Sequence, residues 1–312
     1  MFQEEIRLDN TRRSTFRECM RKGYWQYVLD YKPKMGSTAL RFGSTWHGMQ
    51  DGFYSSIKEF GWERRDQAIE SGILKGKAVW DKESEAQEFY IDYRNLQTAS
   101  DCFLQYVQHY SHDEEILKVI QTEQVFRCPI TLVTEEEKRL YGHLPPIVFT
   151  GRLDLQVELN VMPWIIEHKT TGQPLEKQAY QLNRSAQIMG YSYAGPNILD
   201  FRPEGCLISF LYASARKNKD GVYGKNTIDF KRVPQLFSEG DFREWRASFL
   251  KVCHDLVWAE QNNVWEMAHD QCYKQWGACD YVRLCEQNRP FDETNFEGFI
   301  QIPWDVENGE ED

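Results

Sequence analysis

The feature that most constrains the fold is a pair of short apolar runs followed by a helical pattern. Residues 151–159 and 164–171 are rich in β-branched and apolar residues, and the turn formers Asn160 and Pro163 lie between them. Two such runs joined by a turn predict a β-hairpin. Residues 178–194 then place apolar side chains at helical spacing, which predicts a helix after the second strand.

The predicted hairpin carries Asp154 on its first strand and Glu167 and Lys169 on its second. Side chains two residues apart on a strand point to the same face, so Glu167 and Lys169 face the same way and Asp154 can join them. Two half-buried carboxylates repel each other unless a cation lies between them. A lysine beside them can hold or deprotonate a water molecule, as metal-assisted phosphodiester hydrolysis requires. Taken alone, these three residues also fit an ordinary hairpin with a surface salt bridge.

Three motifs together extend this pattern into the following helix. G-R-x-D ending at Asp154, E-x-K from Glu167 to Lys169, and Q-x-x-x-Y from Gln187 to Tyr191 resemble the motifs of the RecB-like PD-(D/E)XK nucleases. The resemblance implies an α/β fold of the restriction-endonuclease type, with a mixed central sheet flanked by helices. It also implies that Lys169 orients or activates the attacking water, while Gln187 and Tyr191 position the DNA strand.

The same resemblance implies a metal-binding histidine. The family places such a histidine in an early helix, a few residues after a glycine, and His47 follows Gly43 in the predicted helix 37–60. The implied ligands of Mg²⁺ or Mn²⁺ are His47, Asp154, Glu167 and the main-chain carbonyl of His168. An imidazole ligand makes Mn²⁺ somewhat more favourable than it is at an all-oxygen site.

Four of the eight cysteines form a second pattern. Cys272, Cys279 and Cys285 are separated by six and five residues, which is not the paired C-x-x-C spacing of a zinc ribbon. Cys19 is the candidate for a fourth thiolate. One distant N-terminal cysteine and three near the C-terminus resemble the iron–sulfur branch of the same nucleases, which includes the AddB nuclease domain and the CRISPR adaptation exonucleases. This resemblance implies a 4Fe–4S cluster that staples the helical N-terminal part to the C-terminus.

The other cysteines are expected to be buried thiols of the core. These are Cys102, Cys128, Cys206 and Cys253.

The remaining periodicity predicts one nuclease body over residues 1–290 and an acidic tail over 291–312. The body comprises a helical part over 9–111, a sheet core over 116–232, and a C-terminal helix with the cysteines over 238–290. One helix is predicted over 9–31, and two over 62–111 with a break near 82–84. The first strand of the sheet is predicted over 116–133 and contains Glu123, where the family often has an acidic residue near the metal.

The charge of the chain is uneven. The net charge is −11, but residues 291–312 hold eight acidic residues and no lysine or arginine, so the rest of the chain is close to neutral. We interpret the tail as solvated, and its apolar residues over 296–304 as a segment that docks on the body. The alternative is a tail that shields a basic groove and competes with DNA for it, and the sequence leaves the role of the tail open. The basic residues of the first helix are candidates for phosphate contacts or for a solvated helix face. They are Arg12, Arg13, Arg17, Arg21 and Lys22.

The sequence predicts an intracellular, cytoplasmic protein, because it has neither a signal peptide nor an apolar run of membrane-spanning length. Its predicted function is metal-dependent hydrolysis of DNA by a single-strand exonuclease in recombination, repair or CRISPR-type processing. Two alternatives stay open. One is a module that binds DNA ends for a helicase, a recombinase or a CRISPR partner protein, and the other is an RNA-acting or redox-sensing enzyme. The sequence leaves open the polarity of cutting, the preference for ends over internal bonds, and the oligomeric state.

Overall fold

The computed structural model describes residues 4–199, 202–274, 277–287, 289 and 291–304. Its α-helices are α1 Asn10–Glu18, α2 Met20–Gly23, α3 Thr38–Phe60, α4 Arg65–Ala86, α5 Leu96–His109, α6 Asp113–Ile116, α7 Glu135–Tyr141, α8 Leu175–Leu182, α9 Ala186–Ile198, α10 Glu239–Asn262 and α11 Val282–Glu286. Its strands are β1 Ile6–Leu8, β2 Tyr31–Pro33, β3 Met35–Gly36, β4 Glu88–Phe89, β5 Leu117–Pro129, β6 Ile147–Leu159, β7 Met162–Thr171, β8 Cys206–Ser214, β9 Thr227–Gln235, β10 Tyr273–Lys274, β11 Gly277–Ala278 and β12 Phe299–Gln301.

A mixed sheet of six strands forms the centre of the described fold. The strand order is β1-β6-β7-β8-β9, and β5 also pairs with β6. The pairs β1–β6 and β7–β8 are parallel, whereas β6–β7 and β8–β9 are antiparallel. Helices flank this sheet, so the predicted mixed α/β fold is confirmed. Among the described residues, no helix is both long enough and apolar enough to cross a membrane.

The chain divides into two compact units, and each is built from segments that are distant in sequence. The first unit comprises residues up to 34, residues 125–151 and residues from 239 onward. The second unit, which we call the hairpin unit, comprises residues 35–124 and 152–238. The strands β5 and β6 run from one unit into the other. The single body over 1–290 stays a prediction.

Close packing of α3 against α4 shapes the hairpin unit. A Cβ atom added at Gly52 would lie 2.7 Å from the carbonyl oxygen of Ser71, and one added at Gly72 would lie 2.7 Å from that of Met49. The two helix backbones therefore approach so closely that glycine is required at these positions. Apolar side chains of α3 and α5 then pack against the sheet, and they include Trp46 and Phe103.

Aromatic contacts hold the last described residues in the first unit. The ring of Phe296 stacks on Tyr31 with centroids 3.8 Å apart, and the indole of Trp304 donates a hydrogen bond to Asp9 at 2.9 Å. The strand β12 pairs with β2 in the same region. The apolar part of the predicted tail therefore docks as expected, and residues 305–312 of the acidic tail lie outside the described residues.

Several predicted elements are interrupted or displaced. The helix predicted over 9–31 is broken at Cys19, whose backbone is extended (φ −163°, ψ 116°). The helix predicted over 178–194 is two helices, α8 and α9, because the turn-forming residues 183–185 separate them. The two helices predicted over 62–111 are observed as α4 and α5, but the break predicted near 82–84 lies later, between Ala86 and Leu96.

The basic residues of the first helix are largely engaged within the first unit. Arg13 is buried and donates to Ser248 at 2.7 Å, Arg21 donates to the carbonyl of Trp265 at 2.7 Å, and Lys22 pairs with Glu18 at 2.9 Å. These side chains therefore stabilise the fold locally. The predicted buried thiols are confirmed, and they are Cys102, Cys128, Cys206 and Cys253.

Candidate active site

The hairpin of β6 and β7 sets the positions of the acidic residues. Its turn residues Asn160 and Val161 both have left-handed backbones, with φ of 49° and 62°. Two consecutive residues with positive φ are typical of the type I′ turn, whose twist matches that of the strands it joins. The resulting register places Leu155 opposite Ile166. The next residue along each strand is Asp154 on one and Glu167 on the other, so the two carboxylates become neighbours.

The long helix α3 brings His47 to the same place. Ser37 caps the start of this helix by accepting a hydrogen bond from the main-chain N–H of Leu40. His47 Nδ1 lies 3.3 Å from Asp154 Oδ2. The main-chain N–H of His168 donates to the same carboxylate oxygen at 2.7 Å. Asp154 is therefore fixed from two sides, by a helix and by the neighbouring strand.

Glu123 completes a group of three potential ligands. One ligand atom from each of His47, Glu123 and Asp154 lies within 4.8 Å of the other two. Glu123 lies inside β5 but has a left-handed backbone, with φ of 44°. Such strain is rare in a strand and is typical of functional sites. The sequence indicated Glu123 only as an acidic residue near the metal, and the unusual backbone that aims its carboxylate is visible only in the structure.

Glu167 and Lys169 form a pair beside this group. Lys169 Nζ donates a hydrogen bond to Glu167 Oε1. The other oxygen, Glu167 Oε2, is buried and has no hydrogen-bond partner among the described residues. A buried carboxylate oxygen without a partner is costly, and a cation is one group that satisfies it. The predicted proximity of Asp154, Glu167 and Lys169 is therefore observed.

The ionisation of these residues reflects their burial first and the charge of Asp154 second. Burial and the nearby Asp154 raise the pKa of Glu167 to about 7 and that of Glu123 to about 8. Burial opposes the charge of Asp154 as well, but the charge and hydrogen bond of His47 hold its pKa well below the usual range. Burial alone would lower the pKa of His47, yet Asp154 raises it to about 9. These four side chains therefore retain protons at neutral pH, and a divalent cation that binds them would displace those protons.

The side chain of His168 lies in a buried aromatic environment. Its ring stacks on Tyr54 with centroids 6.1 Å apart, and burial lowers the pKa of the imidazole to about 3. The imidazole of His168 is therefore neutral and packs against Tyr54. The main-chain N–H of the same residue donates a hydrogen bond to Asp154. That its carbonyl binds a metal stays a prediction.

Behind His168 lies a buried polar network that the sequence did not indicate. Arg232 of β9 donates to both oxygens of Asp113, at 2.7 and 2.6 Å. It also donates to the hydroxyl of Tyr106 at 2.9 Å, and its guanidinium lies 3.8 Å from the centre of the Tyr110 ring. No periodic pattern connects these residues, because they come from three separate elements.

Gln187 and Tyr191 lie on α9, and Gln187 Nε2 donates to the Tyr191 hydroxyl at 3.2 Å. This hydrogen bond links side chains one helical turn apart, as the motif spacing implies. Their role in positioning a DNA strand stays a prediction.

The four cysteines of the second pattern line one cavity of about 190 Å³ in the first unit. They are Cys19, Cys272, Cys279 and Cys285. The extended backbone of Cys19, between α1 and α2, lets its sulfur accept a hydrogen bond from the main-chain N–H of Ala268 at 3.4 Å. Among the described residues, no three of these sulfurs lie within 4.8 Å of one another.

An aspartate on one strand, with Glu-x-Lys on its antiparallel neighbour in a mixed sheet, defines a nuclease. The chain belongs to the PD-(D/E)XK nuclease superfamily, whose family model matches residues 10–286.

Sequence identity to two solved structures is low. A proposed exonuclease from Eubacterium rectale is 11% identical in sequence, and the match covers 91% of this chain and 88% of that chain with a TM-score of 0.43. The solved structure of SSO0001 is 12% identical, and the match covers 65% of this chain and 74% of that chain with a TM-score of 0.25. No curated protein sequence matches this chain.

Proposed function

We propose that the protein is a metal-dependent DNA nuclease that degrades single strands from their ends. The observation that carries this proposal is the convergence of His47, Glu123 and Asp154, whose ligand atoms lie within 4.8 Å of one another. Beside them lies Glu167 Oε2, which has no hydrogen-bond partner in the part of the chain that the structure describes. Family membership supports the hydrolysis of phosphodiesters. Preference for single strands and for ends belongs to the proposal.

The residues present fit a hard divalent cation. Carboxylate oxygens suit Mg²⁺ and Mn²⁺, and the imidazole of His47 favours Mn²⁺. Glu123, Asp154 and His47 would hold the ion, and Glu167 Oε2 would join them. When bound, the ion supplies charge that stabilises the phosphate during hydrolysis. It would also offset the burial and the repulsion by Asp154 that raise the pKa values of Glu123 and Glu167.

Lys169 has the position of the residue that handles the attacking water. Its ammonium is fixed by Glu167, and the charges of Glu167 and Asp154 outweigh burial and raise its pKa. A protonated lysine can orient a water molecule and donate a hydrogen bond to it. We assign Lys169 to water orientation, and we assign Gln187 and Tyr191 to holding the strand beside the scissile bond.

We also propose that the cysteine cavity holds a 4Fe–4S cluster with a structural role. Four thiolates around one cavity form a complete ligand set for such a cluster. The cluster would connect Cys19 to the C-terminal segment that carries Cys272, Cys279 and Cys285. Recombination, repair or CRISPR-type processing, with a helicase or recombinase as partner, is the biological setting that we propose for this nuclease.

The decisive experiment is digestion of end-labelled linear DNA, single- or double-stranded, with Mg²⁺, with Mn²⁺ or with chelator. We expect stepwise shortening of the linear single strand with either cation, and no cutting of a circular single strand. Lys169→Met should lower the rate by about 10²- to 10⁴-fold while calorimetry shows unchanged metal affinity. Lys231→Met is the matched control, because Lys231 lies on the exposed part of β9 and pairs with Glu176.

Each outcome of this experiment has a definite meaning. If neither cation supports cutting of linear DNA, the nuclease proposal is wrong, and a module that binds DNA ends becomes the better explanation. Cutting of the circular strand would exclude an exonuclease. Loss of metal binding in Lys169→Met would move this lysine from water orientation to a structural role in the metal site.

A further inference from the structure

A basic hairpin extends from the ends of β8 and β9. Residues 214–227, which we call the basic hairpin, contain four cations and one acidic residue in a chain whose net charge is −11. The cations are Arg216, Lys217, Lys219 and Lys225, and all four are exposed or half-exposed. Within the described part of the chain, none of them forms an ion pair, whereas Lys231 on the adjoining strand pairs with Glu176. Unneutralised cations at such a density attract a polyanion.

The basic hairpin has a defined shape. The side chain of Asn218 accepts hydrogen bonds from the main-chain N–H groups of Asp220 and Val222, each at 2.9 Å. Lys217 pairs with Tyr223 across the hairpin, and Asn226 donates to Thr98 of α5 at 3.1 Å. The four cations therefore lie on a loop that has internal hydrogen bonds and is anchored to the rest of the hairpin unit through α5.

An exposed apolar pair lies beside the basic hairpin. Tyr90 is 70% exposed and Ile91 is 98% exposed. Tyr93, three residues beyond Tyr90, packs its ring against Tyr223 with centroids 5.5 Å apart. Three extended residues span at most about 10 Å, so this pair and the basic hairpin border one surface.

Specific contacts hold the exposed pair in place. Asp92 accepts hydrogen bonds from Thr38 at 3.0 Å and from Arg94 at 2.9 Å. Phe89 packs against the guanidinium of Arg41 at 3.9 Å. Two adjacent apolar side chains exposed on an anchored segment therefore form a ready contact surface, in contrast to the single exposed apolar residues that are ordinary on proteins.

This surface lies at the end of the sheet toward which the active-site strand runs. Lys169 is opposite Phe210 on β8, and the basic hairpin begins four residues further along this strand, at Ser214, about 13 Å away. The hydroxyl of Tyr93 donates to the carbonyl of Ala213 at 3.0 Å, which fixes the exposed pair at the same end. A strand whose scissile phosphate lies at Lys169 can therefore continue across this surface.

We propose that Tyr90, Ile91 and the basic hairpin form a docking surface for a single strand of nucleic acid, bound next to the scissile bond. The cations contact the phosphates, and Tyr90 stacks on an unpaired base with Ile91 against its edge. Aromatic stacking combined with a basic groove is the usual way to bind single strands without sequence preference. A duplex offers the phosphates but no unstacked base. This inference rests on the proposed function and names the substrate that the nuclease site receives.

The test measures the binding of a labelled oligo-dT strand of about 20 nucleotides, longer than the site size of typical single-strand binders. Fluorescence anisotropy is recorded in chelator, so that binding is observed without cutting. We expect the variant K217A/K219A/K225A to bind at least tenfold more weakly. The slope of log Kd against log salt should fall by about 2, because each phosphate that a lysine neutralises contributes about 0.7 to this slope. The charge-matched control K77A/K118A/K138A removes three exposed lysines elsewhere and should change Kd less than twofold.

Tyr90 is tested separately from the charges. Tyr90→Ala should weaken single-strand binding about fivefold or more, by the usual contribution of base stacking. It should leave the binding of a blunt duplex unchanged, and Tyr90→Phe should retain most of the affinity. Equal weakening by the two triple variants, or equal weakening of single strand and duplex by Tyr90→Ala, would overturn the proposal.

Cutting of a dinucleotide separates this inference from the proposed function. Only one nucleoside lies on either side of its single phosphodiester, so it does not extend the roughly 13 Å from Lys169 to the basic hairpin, and wild type and K217A/K219A/K225A should cut it at equal rates. Absence of cutting by wild type would count against the nuclease proposal only. Normal cutting by wild type, together with undiminished strand binding by the hairpin and Tyr90 variants, would count against the docking surface only.

Discussion

Replacement of Arg232 by methionine tests the buried network behind the active site. Arg232 makes two hydrogen bonds to Asp113 and one to Tyr106, and its guanidinium lies over the Tyr110 ring. Asp113 is 4% exposed, so its carboxylate has little contact with solvent. Removal of one member of a buried ion pair leaves an uncompensated charge and typically costs about 3–5 kcal/mol. We expect Arg232→Met to lower the unfolding free energy by this amount.

A double-mutant cycle separates the pair from its surroundings. Asp113→Leu alone leaves the guanidinium of Arg232 buried without its carboxylate partner. It should lower the unfolding free energy by a similar amount. The double variant R232M/D113L removes both charges and should recover at least half of the summed destabilisation, because apolar replacements of buried ion pairs are often well tolerated. Lys231→Met, one residue away on the exposed part of the same strand, is the control and should change stability by less than about 0.5 kcal/mol.

Urea denaturation followed by circular dichroism and tryptophan fluorescence measures these differences. Coincident transitions by the two probes would indicate two-state unfolding, which the free-energy differences of the double-mutant cycle require. A destabilisation below about 1 kcal/mol for Arg232→Met would refute the reasoning, because the pair would then be accessible to water. Additive effects in the double variant would show that Arg232 and Asp113 act independently.

Three further changes test the turn, the carboxylates and the cysteines. Val161→Gly should raise the unfolding free energy by about 1 kcal/mol, because glycine adopts the left-handed conformation without steric cost; unchanged stability would mean that the turn is unstrained. Burial and then Asp154 raise the pKa of Glu123 from 4.5 to about 8, so in chelator the folded state keeps a proton that the unfolded state has released. The melting temperature should therefore fall as pH rises from about 4.5 to 8, and fall less in Glu123→Gln, whereas equal slopes would contradict the assignment. Cys19→Ser should lower iron content and stability as much as Cys285→Ser does, and stoichiometric zinc without iron in the wild type would exclude the 4Fe–4S cluster.

The sequence was sufficient for several features that depend on neighbours in the chain. The two apolar runs joined by a turn predicted a hairpin that brings Asp154 to Glu167 and Lys169, and the register of β6 and β7 agrees. The helix predicted over 37–60 is observed as Thr38–Phe60, with His47 directed at Asp154. Alternation along strands, periodicity along helices and turn residues are local properties, and short-range sterics enforce them.

Some local predictions failed because a few residues interrupted an otherwise good pattern. The apolar spacing over 178–194 continues through residues 183–185, although the chain leaves the helix there. Cys19 likewise lies inside a helical pattern but adopts an extended backbone, and it lines the same cavity as Cys272. Periodicity does not reveal such breaks, because the contacts that stabilise them come from distant parts of the chain.

The sequence by itself determined the class of fold, the central carboxylates and the lysine beside them. Only the tertiary structure decided that Glu123 joins His47 and Asp154, that Arg232 pairs with Asp113, and that an exposed aromatic segment borders the basic hairpin. The physical reason is the separation along the chain between the residues that interact. Secondary structure follows from residues a few positions apart, whereas these juxtapositions depend on side-chain packing between elements separated by many tens of residues, whose energies no local pattern records.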